Sequence, residues 1–82
     1  MSKERQTVED RVKQIVVEQL GADPLNVTRE KYFIGDLGAD SLDVVEVIMA
    51  IEEEFDICIP ERDCERLTTV GALIDYLNEK GE

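Results

Sequence analysis

The sequence has no histidine and no tryptophan, few aromatics, only two cysteines, and few cations for its charge. Each shortage excludes something. Without histidine there is no conventional triad base and no imidazole to bind zinc. Nine Lys and Arg against 20 Asp and Glu leave a net charge of -11. Nucleic acid and anionic membranes are bound by neutralising phosphate with Lys and Arg, so both are excluded as partners. Cys58 and Cys64 stand six apart and form no CxxC. Two thiols so spaced make neither a disulfide framework nor a zinc site, and read as reduced cysteines in a reducing compartment. No apolar run is long enough to insert in a membrane, and no targeting segment is visible, so the expected location is cytoplasmic.

What is present is an aliphatic, periodic chain. At 82 residues and 43% hydrophobic content, one small domain spanning residues 1–82 is expected, with a modest core. The periodicity argues against the disorder that so much charge would otherwise suggest. Thr7 opens a first helix, with Asp10 placed as in a capping box. Val8, Val12, Ile15, Val16 and Leu20 form its apolar stripe, and Gly21 ends it. Residues 22–40 have no sustained period. They form a long connection whose apolar residues, Val27, Tyr32, Phe33, Ile34 and Leu37, are expected to tuck onto the core.

A second helix is predicted from Ser41 to Phe55, capped by Asp40 or Ser41. It carries two stripes. Val44, Val47, Ile48, Ile51 and Phe55 face the core. Leu42, Val45 and Met49 share another face with Glu46, Glu52 and Glu53. Six acids and no Lys or Arg lie between Asp40 and Phe55. An apolar stripe edged by carboxylates fits a docking surface for a basic partner. The competing reading buries this helix on both sides. Pro60 suits the first turn of a short helix, Glu61 to Leu67. Thr68 or Thr69 caps a last helix with the stripe Val70, Leu73, Ile74 and Leu77, and Gly81 follows its end. The expected fold is all-α: a small four-helix bundle of three main helices and one short one, with a long loop between helices one and two.

The stretch Leu37-Gly38-Ala39-Asp40-Ser41-Leu42 holds the chemistry. Ser41 has no histidine to activate it, and no lysine lies between Lys31 and Lys80, so self-contained serine catalysis is excluded. Asp36, Asp40 and Asp43 do not match calcium-loop spacing, so no metal site is assigned. On the residues alone, Ser41 reads first as a helix cap.

The DSL motif, its Leu-Gly-Ala lead, the acidic helix ending Glu52-Glu53-Glu54-Phe55, Ile59-Pro60, and Leu67-Thr68-Thr69-Val70 before Asp75-Tyr76-Leu77 together resemble the acyl carrier protein family over nearly the whole chain. The resemblance implies a non-catalytic carrier. Ser41, flanked by Asp40 and Leu42, would bear 4′-phosphopantetheine, added from coenzyme A by a phosphopantetheinyl transferase. Acyl chains would ride as thioesters and shelter against Phe33, Leu37, Val47, Ile51, Ile59, Cys64 and Leu67. Asp40, Asp43, Val45, Glu46, Met49, Glu52 and Glu53 match the family's partner-facing surface, turned toward fatty acid synthesis enzymes with basic patches. The implied protein is a monomer of discrete fatty acid synthesis. A polyketide carrier and a non-carrier acidic interaction module are the alternatives. The Gly-Gly-His-Ser pattern of peptidyl carriers is missing. Cys64 replaces a small apolar residue usual in the family, and Cys58 falls at a commonly polar place.

Overall fold

The computed structural model describes residues 7–80; Gly81, expected to follow the last helix, lies outside them. Four α-helices are present among them: α1 (Val8–Leu20), α2 (Ser41–Phe55), α3 (Glu61–Cys64) and α4 (Val70–Lys80). A 3₁₀ turn, Pro24–Asn26, interrupts the long loop. The all-α bundle expected from the periodicity is what forms.

The ends of α1 follow its sequence. The Thr7 side chain accepts the Asp10 N–H at 3.1 Å, and Gly21 closes the helix at φ 65° with its N–H on Val17 O. That φ is the left-handed conformation which glycine adopts without penalty. The full reciprocal capping box forms at α2 instead. There Asp40 Oδ1 accepts the Asp43 N–H at 2.9 Å, and Asp43 Oδ2 accepts the Asp40 N–H at 3.1 Å. Asp40 is therefore the cap, and Ser41 is the first residue inside the helix. Asp56 ends α2 in the left-handed region at φ 56°.

The core is aliphatic, with one aromatic at its centre. Val12 and Val16 of α1 meet Val47 and Ile51 of α2 and Val70, Leu73, Ile74 and Leu77 of α4. Helix α1 packs against both α2 and α4. Val27 and Phe33 enter this core from the loop, and Ile59 and Leu67 from either side of α3. The loop's other apolar residues correct the expectation that all of them tuck in. Leu37 is half-buried, whereas Tyr32 and Ile34 are exposed.

Backbone hydrogen bonds explain how a long loop is held. Phe33 N–H donates to Thr68 O, Val70 N–H to Lys31 O, and Gly71 N–H to Arg29 O. Tyr32 and Thr69 form a single antiparallel bridge. Residues 29–33 thus lie alongside 68–71, and Arg29 adds an ion pair to Asp75 at 2.9 Å. Tyr32 alone is bridged and residues 33–36 form a turn, which buries Phe33 and leaves Tyr32 and Ile34 exposed.

Helix α3 is shorter than predicted, ending at Cys64 instead of Leu67. Arg66 N–H bonds to Asp63 O and Leu67 N–H to Cys64 O. These three-residue spacings tighten the chain out of the α-helix. Pro60 sits at the cap, one place earlier than expected, and gives no side-chain hydrogen bond there. At the next helix Thr69, not Thr68, supplies the cap, accepting the Ala72 N–H at 3.1 Å.

Candidate functional site

The approach to Ser41 is a closed turn. Tyr32 N–H donates to Asp36 Oδ2 at 2.9 Å. Leu37 N–H donates to Tyr32 O, and Ala39 N–H to Phe33 O. Gly38, at φ 77°, supplies the left-handed step that turns the chain into α2. Ala39 is buried, which anchors the turn. Ser41 then emerges at the helix N-terminus with its side chain exposed. Among the described residues, no protein group hydrogen-bonds its hydroxyl. Asp40 and Asp43 do the capping, so the Ser41 hydroxyl has no structural duty.

The neighbouring face of α2 is open to solvent. Leu42, Val45 and Met49 are 66%, 50% and 55% exposed, so the helix is not buried on both sides. Val47, Ile48 and Ile51 are buried, and Val44 and Phe55 are half-buried. The acids divide by role. Glu46 and Glu53 are exposed and unpaired among the described residues. Asp40 and Asp43 are committed to each other's backbone. Glu54 pairs with Arg11 at 2.8 Å, whose guanidinium also lies over the Phe55 ring. Glu52 departs from a purely partner-facing role: it is half-buried, and its Oε2 accepts the Ile59 N–H at 2.8 Å.

Beside this face lies an apolar cleft of about 200 Å³, lined by Tyr32, Phe33, Ile34, Val44, Cys64, Leu67 and Thr68. Of the residues expected to surround an acyl chain, it brings together Phe33, Cys64 and Leu67. Leu37 is half-buried outside it, and Val47, Ile51 and Ile59 sit in the packed core. The sequence reading passed over Tyr32, Ile34, Val44 and Thr68. Val44 stands three residues from Ser41, at the border of the core stripe.

The cleft wall is chemically quiet. Burial pushes the Cys64 thiol pKa up, and Glu52 and Asp63 nearby push it the same way. A protonated thiol behaves as a small apolar group. Cys58 is exposed, and neither cysteine is in a disulfide. Behind the wall, Tyr76 Oη donates to Asp63 Oδ2 at 2.8 Å. Burial first, then that hydrogen bond, pushes the Tyr76 phenol up to about 12. Among the described residues, no group of three or more His, Cys, Asp or Glu could hold a metal ion, and no helix is long and apolar enough to cross a membrane.

A helical bundle with a free serine hydroxyl at a helix N-terminus has the parts of one class of protein, the carrier that bears a prosthetic arm. Residues 10–77 match the family described as "Phosphopantetheine attachment site". The chain is also 56% identical over 75 residues to the "Acyl carrier protein" of Bdellovibrio bacteriovorus, covering 92% of this chain and 96% of that one. The chain belongs to the acyl carrier protein family. It is a non-catalytic carrier of acyl groups whose covalently attached cofactor is 4′-phosphopantetheine.

The residues suit that group. Its phosphodiester needs an accessible hydroxyl, and Ser41 offers one at the positive end of α2, where the helix dipole favours a phosphate. Asp40 and Asp43 oppose that benefit electrostatically, and the capping box accounts for their presence.

Proposed function

We propose that this carrier serves fatty acid biosynthesis, with Ser41 as the attachment point for 4′-phosphopantetheine. The group supplies a terminal thiol on which acyl chains are held as activated thioesters. The chain's own part is to present, shelter and be recognised. The observation that carries the reading is the Ser41 hydroxyl, exposed and unbonded beside a cap that does not need it.

The exposed stripe of Leu42, Val45 and Met49, with Glu46, Glu53 and the flanking Asp40 and Asp43, is the docking face. Its apolar residues give contact area, and the carboxylates steer a basic partner. The cleft beside Phe33, Cys64 and Leu67 shelters the alkyl part of the cargo. The net charge of -11 opposes self-association, which favours a monomer, and we place its work in the cytoplasm. A polyketide pathway is the second reading, since an Asp-Ser-Leu motif is compatible with it.

The test is intact mass before and after incubation of unmodified protein with coenzyme A and a phosphopantetheinyl transferase, with Ser41→Ala alongside. A gain of one phosphopantetheine on wild type alone is expected. Equal gain on both proteins would overturn the assignment of Ser41. Loading by a malonyl transferase of fatty acid synthesis, compared with a polyketide one, separates the two pathways.

A further inference from the structure

Helix α3 cannot hold itself in place. It has four residues and no side-chain cap, far below the length at which a helix is stable alone. Its position is set by ties to its neighbours. At its entry, Ile59 N–H is held by Glu52 of α2. At its centre, Asp63 is held by Tyr76 of α4.

What these ties hold is a thin partition. Cys64 and Leu67 wall the apolar cleft of about 200 Å³. Leu67 also lines a second hollow of about 220 Å³ on its far side, together with Asp63, Ala72 and Tyr76. Leu67 therefore borders both hollows, whereas Cys64 borders the cleft alone. A 150 Å³ apolar cavity admits a benzene ring, so a cleft of this size takes roughly six to eight carbons. To seat a longer chain inside, the cleft has to widen at Leu67, toward the second hollow. The Asp63–Tyr76 hydrogen bond lies on that side and opposes the movement.

We propose that the Asp63–Tyr76 hydrogen bond is a latch that limits the length of acyl chain the cleft can hold. The proposal rests on reading the cleft as the cargo site. Asp63 and Tyr76 are positioning residues, acting through Cys64 and Leu67 without lining the cleft themselves.

The test uses the phosphopantetheine-bearing protein loaded with saturated chains of four to twelve carbons. The thermal midpoint of each loaded form is measured against the same variant unloaded, which removes any effect on the fold alone. In wild type, the stabilisation is expected to grow with chain length and level off at roughly eight carbons. Tyr76→Phe keeps the ring and loses the donor; in it the stabilisation should keep growing to longer chains. Asp63→Ala breaks the same bond from the other side and should behave likewise, so the test survives if one variant fails to fold. Asp63→Asn keeps an acceptor and should level off where wild type does. A plateau at the same length in all four proteins would overturn the latch while leaving the cleft as cargo site. No stabilisation by any chain in any variant would overturn the cargo site, and the latch with it.

Discussion

The Glu52 carboxylate accepts the backbone N–H of Ile59 at 2.8 Å, so one acid of α2 also fastens the segment that leads into α3. Removing it leaves a partly buried donor without a partner. Glu52→Ala is expected to lower stability by about 1–3 kcal/mol, and Glu52→Gln, which keeps an acceptor, by less. Glu46→Ala and Glu53→Ala, at exposed unpaired sites, should stay within about 0.5 kcal/mol. Urea denaturation measures all four. Glu46 is accordingly the cleaner place to reverse charge when testing association with a basic partner.

Capping and presentation fall on adjacent residues. Asp40→Ala removes the acceptor for Asp43 N–H and should cost about 1 kcal/mol. Ser41→Ala touches no cap and should change stability by less than about 0.5 kcal/mol. Equal losses for the two in chemical denaturation would mean that Ser41 shares the capping.

Gly71 lies where α4 meets the long loop. A Cβ there would stand 3.0 Å from Arg29 O and 3.2 Å from Arg29 Cβ. The Arg29 backbone is pinned by the Gly71 N–H and by the ion pair with Asp75, so it cannot simply retreat. In an open helix, Gly→Ala gains about 1 kcal/mol. Here overpacking of about 1–3 kcal/mol opposes that gain, and Gly71→Ala is expected to lower the thermal midpoint. A raised midpoint would show that the loop yields.

Tyr76 makes stability depend on alkaline pH. Its phenol is raised from 10.0 to about 12 in the fold. Between these values the unfolded chain loses the proton while the folded one keeps it. Unfolding then releases a proton, and stability falls as pH rises. The contribution is fully present below pH 10 and is lost through about 12. Tyr76→Phe should remove this part of the decline, seen as a flatter plot of midpoint against pH than wild type gives.

The three main helices were legible because each carries its own signals: Thr7 and Gly21 around α1, Asp40 before α2, and a complete stripe from Val70 to Leu77. The exposed stripe of α2 was legible too, since Leu42, Val45 and Met49 fall off the core face by angle alone. The hold on the long loop was not. It is made by backbone groups of residues 29–33 and 68–71, which leave no side-chain signature. The cleft suffered for the same reason. Its walls come from three separate segments, and whether Val47 or Val44 reaches it depends on a rotation that periodicity does not resolve. The tie of Glu52 to Ile59 was hidden as well, because a carboxylate among other acids on an exposed-looking face reads as one more surface charge.

The C-terminal end of α2 carries Glu52, Glu53 and Glu54 where a helix favours cations, and has no basic residue in its last turn. Arg11, reaching over from α1 to Glu54, is the one cation paired there among the described residues. The helix is electrostatically frustrated at this end: its fold is kept by packing against its own field. Any cation brought to that end relaxes the strain. Salt does so diffusely, and a basic partner does so at a chosen place. A cation placed at this end by substitution is thus expected to firm the helix without any change to its core.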